Sequence, residues 1–137
     1  WAWSSNIGWV SFNRKDCDAD NNGLSDGVPA GCPAAGTAIA DYGVNIATST
    51  GNFSGYAWSP NVGWIDFAPA ADLATYPSCG YPKTPCSTPH FDKTTKTVTG
   101  WAKILSLGDD GWINFGQANC TGTALPKAFP ASFPWCF

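Results

Sequence analysis

The chain has 137 residues, 44% of them hydrophobic and only 12% charged, with a formal net charge of −3 and a pI near 4.7. That length supports one domain, taken as residues 1–137, with a core of useful size, and the composition excludes a disordered chain. The seven Lys and Arg are scattered and form no basic patch, which argues against a nucleic acid partner, and no apolar run is long enough for a membrane span.

Trp1 to Phe12 reads as a β-hairpin: a short strand Trp1-Ala2-Trp3, a polar turn through Ser4, Ser5 and Asn6, then Gly8-Trp9-Val10-Ser11-Phe12. Side chains alternate along a strand, so Val10 and Phe12 share one face while Trp9 and Ser11 fall on the other. The face carrying Val10 and Phe12 is expected to be the core face. Within this chain the first unit lacks the opening strand that precedes the later hairpins. Residues upstream, another part of the molecule or a neighbouring molecule would have to provide it.

After the hairpin, Asp18, Asp20, Asn22 and Asp26 place oxygen side chains at positions 1, 3, 5 and 9 of a loop, with Gly23 at position 6 and the Leu24 carbonyl at position 7. Hard cations take such an oxygen cage, so a structural Ca2+ is the expected cofactor. Position 12 is Pro29 where an EF-hand has a bidentate Glu; the chain contains no Glu. Cys17 and Cys32 flank this loop, and residues 1–38 form the first, incomplete unit.

The second unit, residues 39–88, has an opening strand at Tyr42 to Ala47 and a turn from Thr48 to Asn52. Phe53 and Ser54 then lead into Gly55-Tyr56-Ala57-Trp58-Ser59-Pro60-Asn61-Val62-Gly63-Trp64-Ile65-Asp66-Phe67, nearly the same string as the first hairpin. Pro69 to Tyr76 is the best helical stretch, one or two turns at most. Cys79 and Cys86 bracket the loop that follows.

The third unit, residues 89–137, opens on Pro89 to Asp92, turns at Lys93 to Lys96 and continues through Thr97 to Thr99. A looser copy of the motif follows, Gly100-Trp101-Ala102-Lys103, then a longer turn, then Gly111-Trp112-Ile113-Asn114-Phe115. His90 is the single imidazole and lacks a nucleophile signature, and Asp109-Asp110 suits a turn better than a catalytic acid pair, so no enzymatic activity is expected. Asn52-Phe53-Ser54 and Asn119-Cys120-Thr121 fit the glycosylation sequon. In the tail, Pro126, Pro130 and Pro134 share one parity while Phe129, Phe133, Trp135 and Phe137 take the other. An extended tail would therefore pair along one edge only and present an apolar face to be covered.

The six Cys point to an oxidising compartment, and the absence of Met, even at position 1, suggests the mature part of a secreted precursor whose signal peptide is gone. Six cysteines allow fifteen pairings; their positions favour neighbours, Cys17 with Cys32, Cys79 with Cys86 and Cys120 with Cys136, each closing the excursion after its own motif. No C-x-x-C spacing suggests a metal cluster.

Self-similarity of this kind predicts an all-β fold of three pseudo-repeated antiparallel hairpin or three-strand units sharing one core, with disulfide-stapled loops and little or no helix. Trp9, Trp64 and Trp112 then fall on the polar face, where they either pack between units or form a row for sugars or a neighbouring subunit.

The motif resembles the Trp-rich G-x-A-W-S-x-N-x-G-W-I-x-F repeats of secreted and cell-surface proteins of uncultivated bacteria of the candidate phyla, and the loop from Asp18 to Asp26 resembles the calcium loops of EF-hand, dockerin and thrombospondin type 3 repeats. The first resemblance implies an extracellular or cell-surface location and carries over no catalytic residues. The expected function is structural: a subunit of a surface filament or pilus-like fibre that self-associates, or a module of a surface-layer or adhesin protein. Trp9, Trp64, Trp112, Phe129, Phe133 and Trp135 are the expected packing or interface residues. The alternative is a carbohydrate-binding module that presents Trp and Tyr faces to surface glycans.

Overall fold

A computed structural model describes residues 1–28, 31–73, 87–115 and 135–136. Cys79, Cys86, Cys120, Phe129, Phe133, the sequon at Asn119 and most of the tail lie outside the described residues, as do the side chains of Trp135 and Cys136.

The regular structure of the described chain is mostly strand. The elements are β1 (Ala2–Ser4), β2 (Gly8–Val10), β3 (Val44–Ile46), β4 (Phe53–Ser59), β5 (Gly63–Asp66), a one-turn helix α1 (Ala70–Leu73), β6 (His90–Asp92), β7 (Thr97–Thr99), β8 (Trp101–Ile104), β9 (Trp112–Asn114) and β10 (Trp135–Cys136). Short 3-10 turns occupy Arg14–Asp16 and Leu105–Asp110. The second of these is the longer turn of the third motif, and it kinks at Gly108, whose φ is 56°.

Each motif stretch folds as an antiparallel hairpin, β1 with β2, β4 with β5, and β8 with β9. The registers place Ala2 opposite Val10, Ala57 opposite Ile65 and Ala102 opposite Ile113. Alternation puts these pairs on one face, and Val10, Ala57, Ile65, Ala102 and Ile113 are all buried in one core with Ile7, Phe67 and Ile104. Small Ala across from a branched aliphatic leaves room for the Phe layer above it. In that layer Phe67 lies 5.7 Å from Phe12, 5.8 Å from Phe115 and 5.9 Å from Phe53, centre to centre. The motif phenylalanines of all three hairpins therefore touch through Phe67.

The hairpins join edge to edge. The main sheet runs β10-β9-β8-β5-β4-β3, and β5 meets β8 antiparallel with Ile65 opposite Ile104 and Asp66 opposite Lys103. The β1–β2 hairpin joins at the isolated bridge between Ser11 and Trp58, whose backbones exchange both hydrogen bonds at 2.8 and 2.9 Å. Opening strands also form: β3 pairs with β4, and β6 with β7. At the far edge β10 lies parallel to β9, Trp135 opposite Ile113 and Cys136 opposite Asn114.

Two glycines explain why each later motif begins as it does. Gly55 and Gly100 have φ of 87° and 100°, and a Cβ at either would collide with the carbonyl of Gly43 or Thr88. Only Gly admits that close approach. The same two residues accept a hydrogen bond through their carbonyls from Phe67 and Phe115 at 2.9 and 3.0 Å. In the first hairpin the Phe12 N–H donates instead to the Asp16 carboxylate at 3.2 Å.

Candidate interaction face and loop site

The face opposite the core is built from three cross-strand pairs: Trp3 with Trp9, Trp58 with Trp64, and Lys103 with Trp112. The first two are edge-on indole pairs with centres 5.2 and 4.9 Å apart, both tilted by 64°. In each, the ring of the first-strand Trp lies beside the turn glycine, Gly8 or Gly63. Where the third motif has Lys103 in place of Trp, its ammonium sits 5.0 Å from the centre of the Trp112 ring, a cation–π contact between the same directly opposed positions.

Exposure falls from one hairpin to the next. Trp3 is 60% and Trp9 42% exposed, Trp58 and Trp64 are half-buried, and Lys103 and Trp112 are buried at 7% and 3%. Trp1 extends the first cluster at 6.2 Å from Trp9, while Tyr42 and Tyr56 extend the second at 5.2 and 6.4 Å from Trp64. Of the indoles expected from the sequence, Trp112 is thus packed, Trp64 lies between, and Trp9 faces solvent.

Beside the second pair is a cleft of about 260 Å³ lined by Pro33, Ala38, Ile39, Ala40, Tyr42, Trp58 and Trp64. Its floor is tied to the hairpin junction: the Tyr42 hydroxyl lies 2.7 Å from Ser11 Oγ, which donates to Asp16 at 2.9 Å. Burial pushes the Tyr42 phenol above its ordinary value near 10.0, the Asp16 charge pushes the same way, and the Ser11 hydrogen bond partly offsets both. Sequence reading missed Tyr42 here because the contact is set by pairing across the sheet, and it missed Trp3 and Trp58 because it weighed only the second strand of each motif. The replacement of Trp by Lys103 was the available signal for the cation–π pair.

The loop of residues 17–32 is closed by a disulfide between Cys17 and Cys32, the neighbour pairing expected from position. Asp18 is fully buried and accepts the Asn22 N–H at 2.9 Å and the Gly23 N–H at 3.0 Å. Asp20 accepts the Asn22 N–H at 3.1 Å, Asn22 Oδ1 accepts the Leu24 N–H at 2.7 Å, and Asp26 accepts the Ala19 N–H at 2.8 Å. Gly23, with φ of 86°, makes the sharp turn. Arg14 stands outside this turn, its Nε 3.4 Å from Asp18 and 3.9 Å from Asp41, with a further hydrogen bond to Asn21. The carboxylates of Asp18, Asp20 and Asp26 all accept hydrogen bonds within this loop, and among the described residues no group of three His, Cys, Asp or Glu side chains is placed to hold a metal ion.

His90 and the acidic pair lie elsewhere. His90 Nδ1 is 3.0 Å from Asn52 Oδ1, at the isolated bridge between β6 and the residue just before β4. Asp109 and Asp110 are exposed in the third turn. Among the described residues no helix is long and apolar enough to cross a membrane. Comparison of the chain with family models, with curated proteins and with solved structures gives no match.

Proposed function

We propose that the chain is an extracellular structural module, a subunit of a surface filament or a building block of a surface layer or adhesin, in which three copies of one hairpin unit are joined edge to edge. One observation carries this reading: the joint between hairpins has the same register twice. Ser11, the residue after β2 in the first hairpin, faces Trp58 in the first strand of the next, and Asp66 in the second hairpin faces Lys103 in the third. These positions correspond in the motif, so the second strand of each hairpin receives the first strand of its successor by one rule. Side-chain contacts also join neighbouring hairpins: Ser59 Oγ, at the end of β4, donates to the Ile7 carbonyl at 3.1 Å, and Ser106 Oγ, two residues beyond the motif counterpart of Ser59, donates to the Val62 carbonyl at 2.5 Å. A joint that can be repeated is what an assembling scaffold needs. Negative-stain images of the purified chain test the reading: regular fibres or sheets support it, and dispersed single particles at every concentration refute it.

The loop from Asp18 to Asp26 serves in this module as a structural calcium site. Its support is the order of oxygen side chains at 18, 20, 22 and 26, with the Leu24 carbonyl between, wrapped on a Gly23 turn. Bound calcium would brace the loop beside the disulfide, and thermal melts with added Ca2+ and with chelator should separate. Coincident melts would remove the calcium assignment and leave the scaffold reading intact.

A second reading, carbohydrate binding, rests on the cleft beside Trp58, Trp64 and Tyr42, where two indoles and a phenol frame an apolar slot. Glycan-array signal lost on Trp64→Ala would establish it in place of a purely structural role.

A further inference from the structure

We infer that the outer edge of β1 is a docking edge for β9 of a second copy of this chain, with Trp3 opposite Asn114 and Ser4 opposite Ile113. The inference rests on the scaffold reading above and names the surface through which it operates. Within one chain, the residues matching Asn114 in the first two hairpins, Ser11 and Asp66, face the residues matching Trp3 in the following hairpins, Trp58 and Lys103. Continuing the rule past the third hairpin places the next first strand, with its Trp3, on β9.

The exposed end is built for that step. β1 and β2 share the register of β4 and β5, Trp3 opposite Trp9 as Trp58 is opposite Trp64. Trp58 directs both backbone groups away from β5 to reach Ser11, so Trp3, at the same point of the ladder, directs its N–H and C=O away from β2. Among the described residues β1 pairs only with β2, and its Trp3 side chain is 60% exposed. Ser4 repeats the arrangement of Ser59: each hydroxyl accepts the N–H of the turn Asn at 3.3 Å. Ser59 also donates to Ile7 of the preceding turn, whereas among the described residues Ser4 has no such acceptor. In the docked pair Ser4 would donate to the carbonyl of Asp110, the residue before Gly111, as Ile7 and Val62 precede Gly8 and Gly63.

At the other end, β10 already covers the β9 edge, pairing with the same residues, Ile113 and Asn114. That pairing is parallel, with two residue pairs among the described residues, and parallel is the less stable kind of ladder. Docking of a second copy exchanges it for an antiparallel pairing backed by the turn contact, so β10 holds the edge until a partner arrives. The two surfaces differ, and growth is therefore head to tail and open-ended.

The test is sedimentation velocity of the full chain over a range of concentrations, comparing wild type with Trp3→Pro and Trp3→Ala. Proline removes the outward N–H from the β1 ladder together with the indole, at a position where edge strands tolerate it, while alanine keeps that N–H and loses the indole alone, so the difference between the two variants reports the backbone hydrogen bond. Wild type should form a continuing series of oligomers, Trp3→Pro should need on the order of tenfold higher concentration to do so, and Trp3→Ala should fall between. Trp3→Pro mixed into wild type should shorten the oligomers, since it receives a partner on β9 as wild type does but offers a weakened β1. Hydrogen exchange on assembled wild type provides a measurement independent of any variant: the Trp3 amide should slow on assembly. Oligomers that form equally well with Trp3→Pro, an unchanged Trp3 amide, or a species that stops at a closed dimer would overturn the edge assignment while leaving a self-assembling module. A wild type that stays monomeric throughout would overturn both.

Discussion

Phe67→Ala is the substitution that asks most of the shared core. Phe67 is 3% exposed and touches Phe12 of the first hairpin, Phe115 of the third and Phe53 at the start of β4. Removing a buried Phe costs about 3–5 kcal/mol through lost transfer energy and the cavity left behind. Three ring contacts, each worth roughly 0.5–1.5 kcal/mol beyond burial, put this site in the upper part of that range, about 4 kcal/mol. Domains of this size carry about 5–15 kcal/mol in total, so the variant should sit near its threshold. At about 3–5 °C per kcal/mol, its midpoint should fall by roughly 12–20 °C. Guanidinium unfolding with disulfides intact, followed by Trp fluorescence and far-UV circular dichroism, measures this, with Val28→Ala, at a residue 67% exposed, as a surface control expected to cost under about 1 kcal/mol. A loss below about 1 kcal/mol for Phe67→Ala, or separate transitions in the two signals, would refute the idea that the hairpins share one core.

Three further outcomes follow from the same geometry. Replacing Cys17 and Cys32 together by Ser opens a loop with a sequence separation of 15 and should cost about 3 kcal/mol by denaturant unfolding. Gly100→Ala must hold a φ of 100° with a Cβ against the Thr88 carbonyl, and should lose on the order of 1–3 kcal/mol, where Gly36→Ala, with open space around it, pays only for its own left-handed φ. Because the folded state raises the Tyr42 pKa, its contribution to stability is complete below the unfolded value near 10.0 and is lost as pH rises through the raised value. Alkaline unfolding curves should therefore be less steep for Tyr42→Phe than for wild type above about pH 10.

Much of the fold was legible because the motif is written nearly twice and loosely a third time. Alternation alone assigned Val10, Ile65 and Ile113 to the core face, and two-residue periodicity leaves little freedom once one face is buried. Cys17 and Cys32 were legible because they bracket a single excursion. What stayed hidden was everything that depends on the relative placement of distant strands. The Ser11–Trp58 bridge, the Tyr42–Trp64 contact and the reach of Ser106 to Val62 have no local signature, since each joins residues separated by a long stretch of chain. The graded burial of the indoles was equally invisible, because Trp9, Trp64 and Trp112 occupy the same motif position and differ only in what surrounds each hairpin. Asp18 shows the limit from the other side: its place in an oxygen-rich loop was plain, but its pairing with Arg14 was not.

The measurement that bears most directly on the account is an electron cryomicroscopy reconstruction of the chain concentrated until it assembles. The account predicts Ser11 beside Trp58, Asp66 beside Lys103 and, between copies, Asn114 of one beside Trp3 of the next. A reconstruction in which copies meet through any other surface, with the β1 edge bare, would contradict it.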